Sequence, residues 1–314
     1  MTPHPDVLAG ARLLTAADIG PSVVRALERI AGRPAGRPYD TEPDGPFVYV
    51  GASLPEALRT PELVWFHSVN AGTDALLAAG RWPGNALLTR TVGRMGERIA
   101  QYVAAWILAE CQSVTEHAAQ HARAEWRRLP AEFVGGQTVL VHGTGHIGTA
   151  VAGLLRRFSL RTVGVRRTPG GTAPGFDRVV EAGSDEEAAE LTAARWVVST
   201  LPLTAGTERF FGAARFSAMD GASFVNTGRG GTVDMAALES ALRTGAVRRA
   251  VLDVLPDEPA GPEEAVWHLP RTVITSHSAG ITADEDVVTD FEACWEAVVR
   301  GRTPTLAVDT ARGY

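Results

Sequence analysis

Short apolar runs alternate with amphipathic stretches along the second half of the chain. The runs are TVLVHG (138–143), RTVGVRR (161–167), WVVSTLP (196–202), ASFVNTG (222–228), RRAVLDV (248–254) and TVITSH (272–277). Between them, residues 147–158 and 235–243 place apolar side chains at helical spacing. Short apolar runs that alternate with helices are typical of parallel strands, so the pattern predicts a parallel sheet with helices on both faces.

The N-terminal part of the chain has a less regular pattern. FVYVG (47–51) and LVWFHS (63–68) are predicted as short buried strands. The stretch 97–128 contains no Gly or Pro, and one helical face of it is apolar (Ile99, Tyr102, Val103, Trp106 and Ile107). We therefore expect one long helix over 97–128, and a last helix from about Asp284 to Arg300.

A chain of 314 residues fits two domains better than one core. The alternation of strands and helices begins and ends inside the chain. We therefore place the sheet domain at residues 109–280 and expect residues 1–108 and 281–314 to form a second, discontinuous domain together.

The segment VLVHGTGHIG ends one predicted strand and opens a helix. Gly143, Gly145 and Gly148 have the spacing G-x-G-x-x-G, which allows a tight turn, a close approach of backbone to a pyrophosphate, and close packing of helix on strand. His146 and Ile147 start the helix, whose free N–H groups can bind phosphate. The alternative is an ordinary strand-to-helix turn, but the strand before and the helix after it favour a dinucleotide site.

The end of the second strand of this unit predicts which dinucleotide binds. An NAD site usually has a carboxylate there for the ribose 2′-hydroxyl, whereas this chain has Arg166, Arg167 and Thr168, and no carboxylate before Asp177. Guanidinium groups attract a 2′-phosphate, so NADPH is favoured as the cofactor. NAD stays possible, with both arginines solvated.

Three residues at predicted strand ends could carry chemistry: Arg229 in VNTGRGG, Glu258 in DVLPDEP and His277 in VITSHSAG. Ligands of parallel sheets bind beyond the carboxyl ends of the strands. An arginine can hold a carboxylate, a histidine can donate a proton, and a carboxylate can orient the histidine. Taken singly, each could equally be a solvated turn residue, a loop-surface acid or a core histidine.

Composition excludes several classes of protein. Hydrophobic residues make up 45% and charged residues 21%, as in globular proteins, and the net charge of −6 argues against a nucleic-acid binder. We see neither a signal peptide nor an apolar run long enough for a membrane span. The two cysteines, Cys111 and Cys294, suggest no disulfide framework, so a cytoplasmic location is expected. His117 and His121 lack a third ligand, so we expect no metal site.

Together these segments resemble the D-isomer-specific 2-hydroxyacid dehydrogenase family over nearly the whole chain. GTGHIG resembles its cofactor loop, and VNTGRGGTVDMAAL, LDVLPDEP and ITSHSAG resemble the segments with its substrate-binding arginine, its acid and its acid–base histidine. One departure is Ser276, where the family usually has proline. GRMGERIAQYVAAWIL (93–108), the arginines of the second strand and the terminal DTARGY (309–314) are similar to the glyoxylate/hydroxypyruvate reductase A branch.

The resemblance implies two Rossmann-like domains of the α/β class. A doubly wound, parallel-sheet dinucleotide-binding domain (109–280) would be inserted into a flavodoxin-like substrate domain (1–108 and 281–314). It also implies a homodimer through the long helix and its neighbours. In the substrate domain, the loop with Asn70, Ala71 and Gly72 would bind the substrate carboxylate together with Arg229. The further cofactor contacts that we predict are Leu201, Pro202, Thr207, Thr227, Asp253, which would accept a hydrogen bond from the nicotinamide carboxamide, and Ala279.

The predicted function is reduction of a small 2-oxo acid, such as glyoxylate or hydroxypyruvate, with NADPH. Arg229, Glu258 and His277 would be the catalytic residues. One alternative is an NAD-dependent D-2-hydroxyacid dehydrogenase with another substrate. Another is a non-enzymatic NAD(P)-binding sensor similar to the corepressors of the family. A formate-type dehydrogenase is disfavoured, because that branch has glutamine at the position of Glu258.

Overall fold

The computed structural model describes residues 2–37, 44–168 and 171–311. Its strands are β1 (Arg12–Thr15), β2 (Ala35–Gly36), β3 (Phe47–Gly51), β4 (Leu63–Ser68), β5 (Leu87–Arg90), β6 (Thr138–His142), β7 (Arg161–Arg166), β8 (Arg178–Glu181), β9 (Trp196–Ser199), β10 (Ala222–Asn226), β11 (Val247–Leu252) and β12 (Thr272–Ile274).

The α-helices are α1 (Pro5–Gly10), α2 (Pro21–Ala31), α3 (Asp74–Ala78), α4 (Met95–Cys111), α5 (Val114–Ala122), α6 (His146–Arg156), α7 (Asp185–Ala193), α8 (Ala213–Ser217), α9 (Met235–Thr244) and α10 (Asp284–Val299). No helix among the described residues is long and apolar enough to cross a membrane. The last three residues of the DTARGY segment lie outside the described residues.

The chain forms two compact units. Unit 1 consists of two separate segments, Met1–Met95 and Ile281–Tyr314, and unit 2 is Gly96–Gly280. Unit 2 therefore lies between the two segments of unit 1 along the chain, which is the arrangement of an inserted domain. The first boundary lies after Met95, so nearly all of α4 belongs to unit 2, whereas the sequence predicts the boundary after residue 108.

Unit 1 is built on a parallel sheet with the strand order β2-β1-β3-β4-β5. This is the flavodoxin-like order. Every residue of β3 is buried, so that strand presents apolar side chains to both faces of the sheet. On one face, the Trp65 ring stacks on Phe291 and Trp295 of α10. Helix α10 comes from the second segment, so this packing joins the two parts of the unit.

Unit 2 is built on a seven-stranded parallel sheet with the order β12-β11-β10-β9-β6-β7-β8. Numbered within the unit, this is 3-2-1-4-5-6-7, the doubly wound order with one further edge strand. From β6 the chain first adds strands on one side of the sheet (β7 and β8) and then on the other (β9 to β12). The crevice above the carboxyl ends of β6 and β9 is therefore the expected ligand position. The α/β fold class predicted from the sequence is confirmed.

The predicted continuous helix over 97–128 is wrong. Helix α4 ends at Cys111, and α5 begins only at Val114. Of the two residues between them, Ser113 has a φ of +50°, a left-handed conformation that ends an α-helix. A run without Gly or Pro therefore did not guarantee one helix. The strands β1, β2, β5 and β8 were not predicted, because they are short and their apolar pattern is weak.

Candidate active site

The glycine loop joins β6 to α6 with little space. Gly143 has a φ of +101°, and a Cβ at Gly148 would lie 1.9 Å from the Gly143 carbonyl oxygen. A Cβ at Gly145 would meet no atom within 4 Å. The first and third glycines are therefore required for the turn and the packing, whereas Gly145 faces open space at the start of a helix of 11 residues. This arrangement fits a pyrophosphate on the helix N-terminus, with His146 and Ile147 in the first turn.

Arg166 and Arg167 lie where β7 ends. Arg166 is partly buried, and its Nη2 donates to the Gly171 carbonyl at 3.1 Å. Its Nε is buried without a hydrogen-bond partner in the described part of the chain. Arg167 and Thr168 are exposed. Neither arginine is in an ion pair with a carboxylate of the described residues, so both guanidinium groups at the end of β7 can bind an anion.

The loops after β9 and β10 pack against each other by their backbones. The Thr227 hydroxyl and backbone N–H both donate to the Ser199 carbonyl, at 3.1 and 3.0 Å. A Cβ at Gly228 would lie 2.4 Å from the Leu201 carbonyl oxygen. Within the loop after β9, the Thr207 hydroxyl donates to the Pro202 carbonyl at 2.6 Å. The structure thus uses Thr207 to shape this loop, and it brings Leu201 and Thr227 to the same edge of the sheet.

Arg229 follows β10 and is joined through its neighbours to the segment that carries Glu258. The Asn226 amide and the Thr232 hydroxyl both donate to the Arg229 carbonyl, at 3.2 and 2.6 Å. A Cβ at the adjacent Gly230 would lie 1.8 Å from the Leu255 carbonyl carbon. Only glycine allows this approach, so the arginine loop and the loop after β11 are in direct backbone contact.

Glu258 and His277 form a hydrogen-bonded pair. His277 Nδ1 lies 2.8 Å from Glu258 Oε2, and the other carboxylate oxygen accepts from the Leu255 N–H at 2.7 Å. The Glu258 side chain is 35% exposed and the imidazole is 51% exposed, so a ligand can reach the ring. The pair uses Nδ1 of the imidazole, and within the described chain Nε2 has no hydrogen-bond partner. Nε2 can therefore exchange a proton with a bound molecule.

The loop of His277 is held by the buried Asp253. The Asp253 backbone carbonyl accepts from the His277 N–H at 2.6 Å. Its carboxylate accepts from the N–H groups of Ser278 and Ala279, at 2.8 and 3.1 Å, and from the Thr275 hydroxyl at 2.6 Å. The Thr275 hydroxyl proton is used in that bond, so Tyr102 donates its own proton to Thr275 at 2.6 Å. Burial raises the pKa of Tyr102 to about 12, which keeps this donor protonated.

Two consecutive residues of that loop have left-handed backbone conformations. Ser276 has a φ of +52° and His277 a φ of +56°. Such conformations cost of order 1–3 kcal/mol each in residues other than glycine, and they cluster at functional sites. A proline cannot adopt the φ of Ser276, since its ring fixes φ near −65°. The departure from the family's usual proline therefore goes with a different local backbone, which the bonds to Asp253 hold in place.

Asn70, Ala71 and Gly72 lie in unit 1, on the loop between β4 and α3. The Ser68 side chain closes this loop locally, because its oxygen accepts from the Asn70 N–H at 3.1 Å. Arg90, at the end of β5, donates from Nη1 to the Ala71 carbonyl at 3.3 Å. Ala71 and Gly72 are partly exposed and Asn70 is exposed. The loop can therefore present backbone groups to a ligand.

A chain of hydrogen bonds supports the same loop from inside the sheet. Thr91 donates its hydroxyl proton to the Ser68 carbonyl at 3.0 Å, so it must accept from His67 Nε2, 3.2 Å away. His67 Nδ1 then accepts from the Thr89 hydroxyl at 2.7 Å, and Thr89 accepts from Trp65 Nε1 at 2.8 Å. Complete burial lowers the pKa of His67 to about 3, which keeps the ring neutral, as this direction of bonding requires.

Sequence reasoning missed these supporting residues. The sequence predicts Tyr102, Thr275 and His67 only as parts of a helix face or a strand, and it predicts no role for Thr91 or Arg90. The available signal was polar residues inside otherwise apolar strands, which have to find partners when buried. Among the described residues, no group of three or more His, Cys, Asp or Glu could hold a metal ion.

Residues 104–279 match the family model of the NAD-binding domain of D-isomer specific 2-hydroxyacid dehydrogenases. The chain is 55% identical, over 273 residues, to the protein of the mprR 3′ region of Streptomyces coelicolor, covering 87% of this chain and 97% of that one.

Solved structures of similar proteins match both units. A D-isomer specific 2-hydroxyacid dehydrogenase from Xanthobacter autotrophicus, in complex with NADPH and MES, has a TM-score of 0.84 at 26% identity and covers 97% of this chain and 99% of its own. An NADPH-dependent glyoxylate/hydroxypyruvate reductase from Sinorhizobium meliloti, in complex with NADP and sulfate, has a TM-score of 0.79 at 25% identity and covers 97% and 100%.

Proposed function

We propose that this chain reduces a small 2-oxo acid with NADPH as the preferred cofactor. The chain belongs to the D-isomer specific 2-hydroxyacid dehydrogenase family and is an NAD(P)-dependent oxidoreductase. Glyoxylate and hydroxypyruvate are the proposed substrates. The observation that carries the proposal is the pair of His277 and Glu258, 2.8 Å apart, on a loop whose backbone is anchored by Asp253. A proton donor is thereby oriented at the carboxyl ends of the strands, where family members bind nicotinamide cofactors.

Each residue then has one task. Arg229 holds the substrate carboxylate and polarises the neighbouring carbonyl. The N–H groups of Ala71 and Gly72 bind the same carboxylate. The imidazolium of His277 gives a proton from Nε2 to the carbonyl oxygen, and Glu258 stabilises the positive charge of the ring through Nδ1. The bound nicotinamide cofactor supplies the hydride that reduces the carbonyl carbon.

The preference for NADPH follows from the charge at the end of β7. Arg166 and Arg167 provide two guanidinium groups there and have no described carboxylate partner. Arginine binds phosphate through two parallel hydrogen bonds, which the 2′-hydroxyl of NADH cannot replace. The two similar structures described above contain NADPH or NADP.

The experiment is a panel of 2-oxo acids with NADPH and NADH run in parallel, read by absorbance. We expect turnover of glyoxylate or hydroxypyruvate and a higher kcat/KM with NADPH. In His277→Ala, turnover should fall by roughly 10²–10⁴-fold, the usual contribution of a general acid. NADPH binding should persist, and His268→Ala, at an exposed histidine of the same unit, should behave as wild type. Tight NADPH binding without turnover of any acid would indicate a sensor instead.

A second experiment addresses the cofactor alone. Replacing Arg166 and Arg167 with serine should raise KM for NADPH and leave KM for NADH nearly unchanged, since only NADPH carries the 2′-phosphate. Arg157→Ser, at an exposed arginine of the same unit, is the control. Equal losses for both cofactors would contradict the assignment of the 2′-phosphate site.

We also propose that the partner of this chain is a second copy of itself. Trp126 is fully exposed and Phe133 is 85% exposed, and both follow α5 in the region predicted to form the dimer contact. Large exposed aromatic side chains are typical of surfaces that a partner covers. Sedimentation velocity should show a dimer that dissociates when both residues are changed to serine. Trp267→Ser, at another exposed tryptophan, should remain dimeric. A monomeric wild type would refute this proposal.

A further inference from the structure

Arg90 is a half-buried arginine that lacks the counter-charge found at several other partly buried arginines. Arg195, Arg248 and Arg249 each pair with glutamates. Within the described residues, Arg90 has no carboxylate partner, and its guanidinium makes one hydrogen bond, to the Ala71 carbonyl at 3.3 Å. Desolvation lowers the pKa of Arg90, as expected for a cation that is buried without a counter-charge.

The position of Arg90 is set by the sheet. It is the last residue of β5 and lies in register with Ser68, the last residue of β4. Its backbone N–H donates to the Leu306 carbonyl at 3.2 Å, which fixes the main chain from the other side. The guanidinium is therefore presented from a rigid strand to the loop that follows the neighbouring strand.

The hydrogen bond determines how one peptide group of that loop is oriented. The Ala71 carbonyl and the Gly72 N–H belong to the same trans peptide unit, so they point in opposite directions. A donor that holds the carbonyl therefore turns the Gly72 N–H away from Arg90. A positive charge at the carbonyl also polarises the amide and makes its N–H a stronger donor.

We propose that Arg90 is a positioning residue for the substrate carboxylate: it aims the Gly72 N–H at the carboxylate and supplies unpaired positive charge behind it. This inference rests on the proposed function, because it assumes that the Ala71–Gly72 backbone binds the 2-oxo acid. The loop is then held at two points, at Ser68 by Thr91 and at Ala71 by Arg90. Arg90 acts through the peptide and does not touch the reacting atoms.

The test compares Arg90→Met with Arg90→Lys. Methionine removes the positive charge and the hydrogen-bond donor but keeps an unbranched side chain. Lysine keeps both the charge and a donor. In Arg90→Met, KM for glyoxylate or hydroxypyruvate should rise roughly tenfold or more, the usual loss when a hydrogen bond to a charged group is removed. The inhibition constant of oxamate, a 2-oxo acid analogue that is not reduced, should rise by the same factor. KM for NADPH should not change, and kcat should stay within about twofold, since proton and hydride transfer keep their own residues.

Two further variants complete the experiment. Arg90→Lys should recover most of the substrate affinity, and Arg81→Met, at an exposed arginine of the same unit, should match wild type. The inference is overturned if Arg90→Met keeps the wild-type KM for the acids, or if KM for NADPH and kcat deteriorate together with it, which would indicate a general loss of structure. It is also overturned if lysine is no better than methionine. A wild-type protein that reduces no 2-oxo acid would instead refute the proposed function.

Discussion

His67 should make the stability of the protein depend on pH in a way that a glutamine at the same position would not. The ring is completely buried, and its pKa is lowered from 6.5 to about 3. In the unfolded chain the histidine titrates normally. As the pH falls below about 6.5, the unfolded state therefore takes up a proton that the folded state cannot accept until about pH 3. The native state loses stability progressively over this range.

The magnitude follows from the two pKa values. One unit of difference in pKa corresponds to about 1.4 kcal/mol. At pH 5, which lies about one and a half units below the pKa of the unfolded chain and above that of the folded protein, about one and a half units of this difference contribute. His67 should therefore account for a loss of about 2 kcal/mol in the free energy of unfolding between about pH 7.5 and pH 5. Glutamine does not titrate, and its amide can still donate towards Thr91 and accept from Thr89, so His67→Gln should lack this part of the pH dependence.

The assay is urea-induced unfolding followed by tryptophan fluorescence at both pH values. His67→Gln is expected to be less stable than wild type near neutral pH, because the ring also packs edge-on against Phe291 at 5.4 Å. Its further loss at pH 5 should nevertheless be smaller by about 2 kcal/mol. His121→Gln, at an exposed histidine, should retain the wild-type slope. Equal losses for wild type and His67→Gln would refute the reasoning, since burial would then not be suppressing protonation of the ring.

Two further predictions concern unit 2. In Gly148→Ala the new Cβ would lie 1.9 Å from the Gly143 carbonyl oxygen, so a fluorescence titration should show NADPH affinity weakened at least about tenfold. Gly153→Ala on the same helix, with no atom within 4 Å of its Cβ, should bind normally and gain roughly 0.5–1 kcal/mol of stability. In Asp253→Asn the anchor of the His277 loop loses its charge, so urea unfolding should show a loss of about 1.5–3 kcal/mol and kcat should fall. An unchanged kcat would show that the charge of Asp253 does not contribute to catalysis through the His277 loop.

The sequence was sufficient where the determining interactions are local. The spacing of Gly143, Gly145 and Gly148, between a predicted strand and a predicted helix, indicates a tight strand–turn–helix, and the structure has that turn. The alternation of strands and helices likewise predicted the parallel sheets, since a period and a connection length can be counted along the chain. The order of strands in each sheet agrees with the predicted fold class.

Tertiary structure decided what depends on partners distant along the chain. The pairing of Glu258 with His277 was an expectation until the loops after β11 and β12 were placed side by side. Asp253 was predicted as a cofactor contact, which stays a prediction, whereas the structure uses its carboxylate to hold a loop with two left-handed residues. Arg90 and His67 could not be assigned a role from the sequence. A polar residue in a strand acquires one only through the neighbouring strand and loop, and their register is set by the packing of the whole unit.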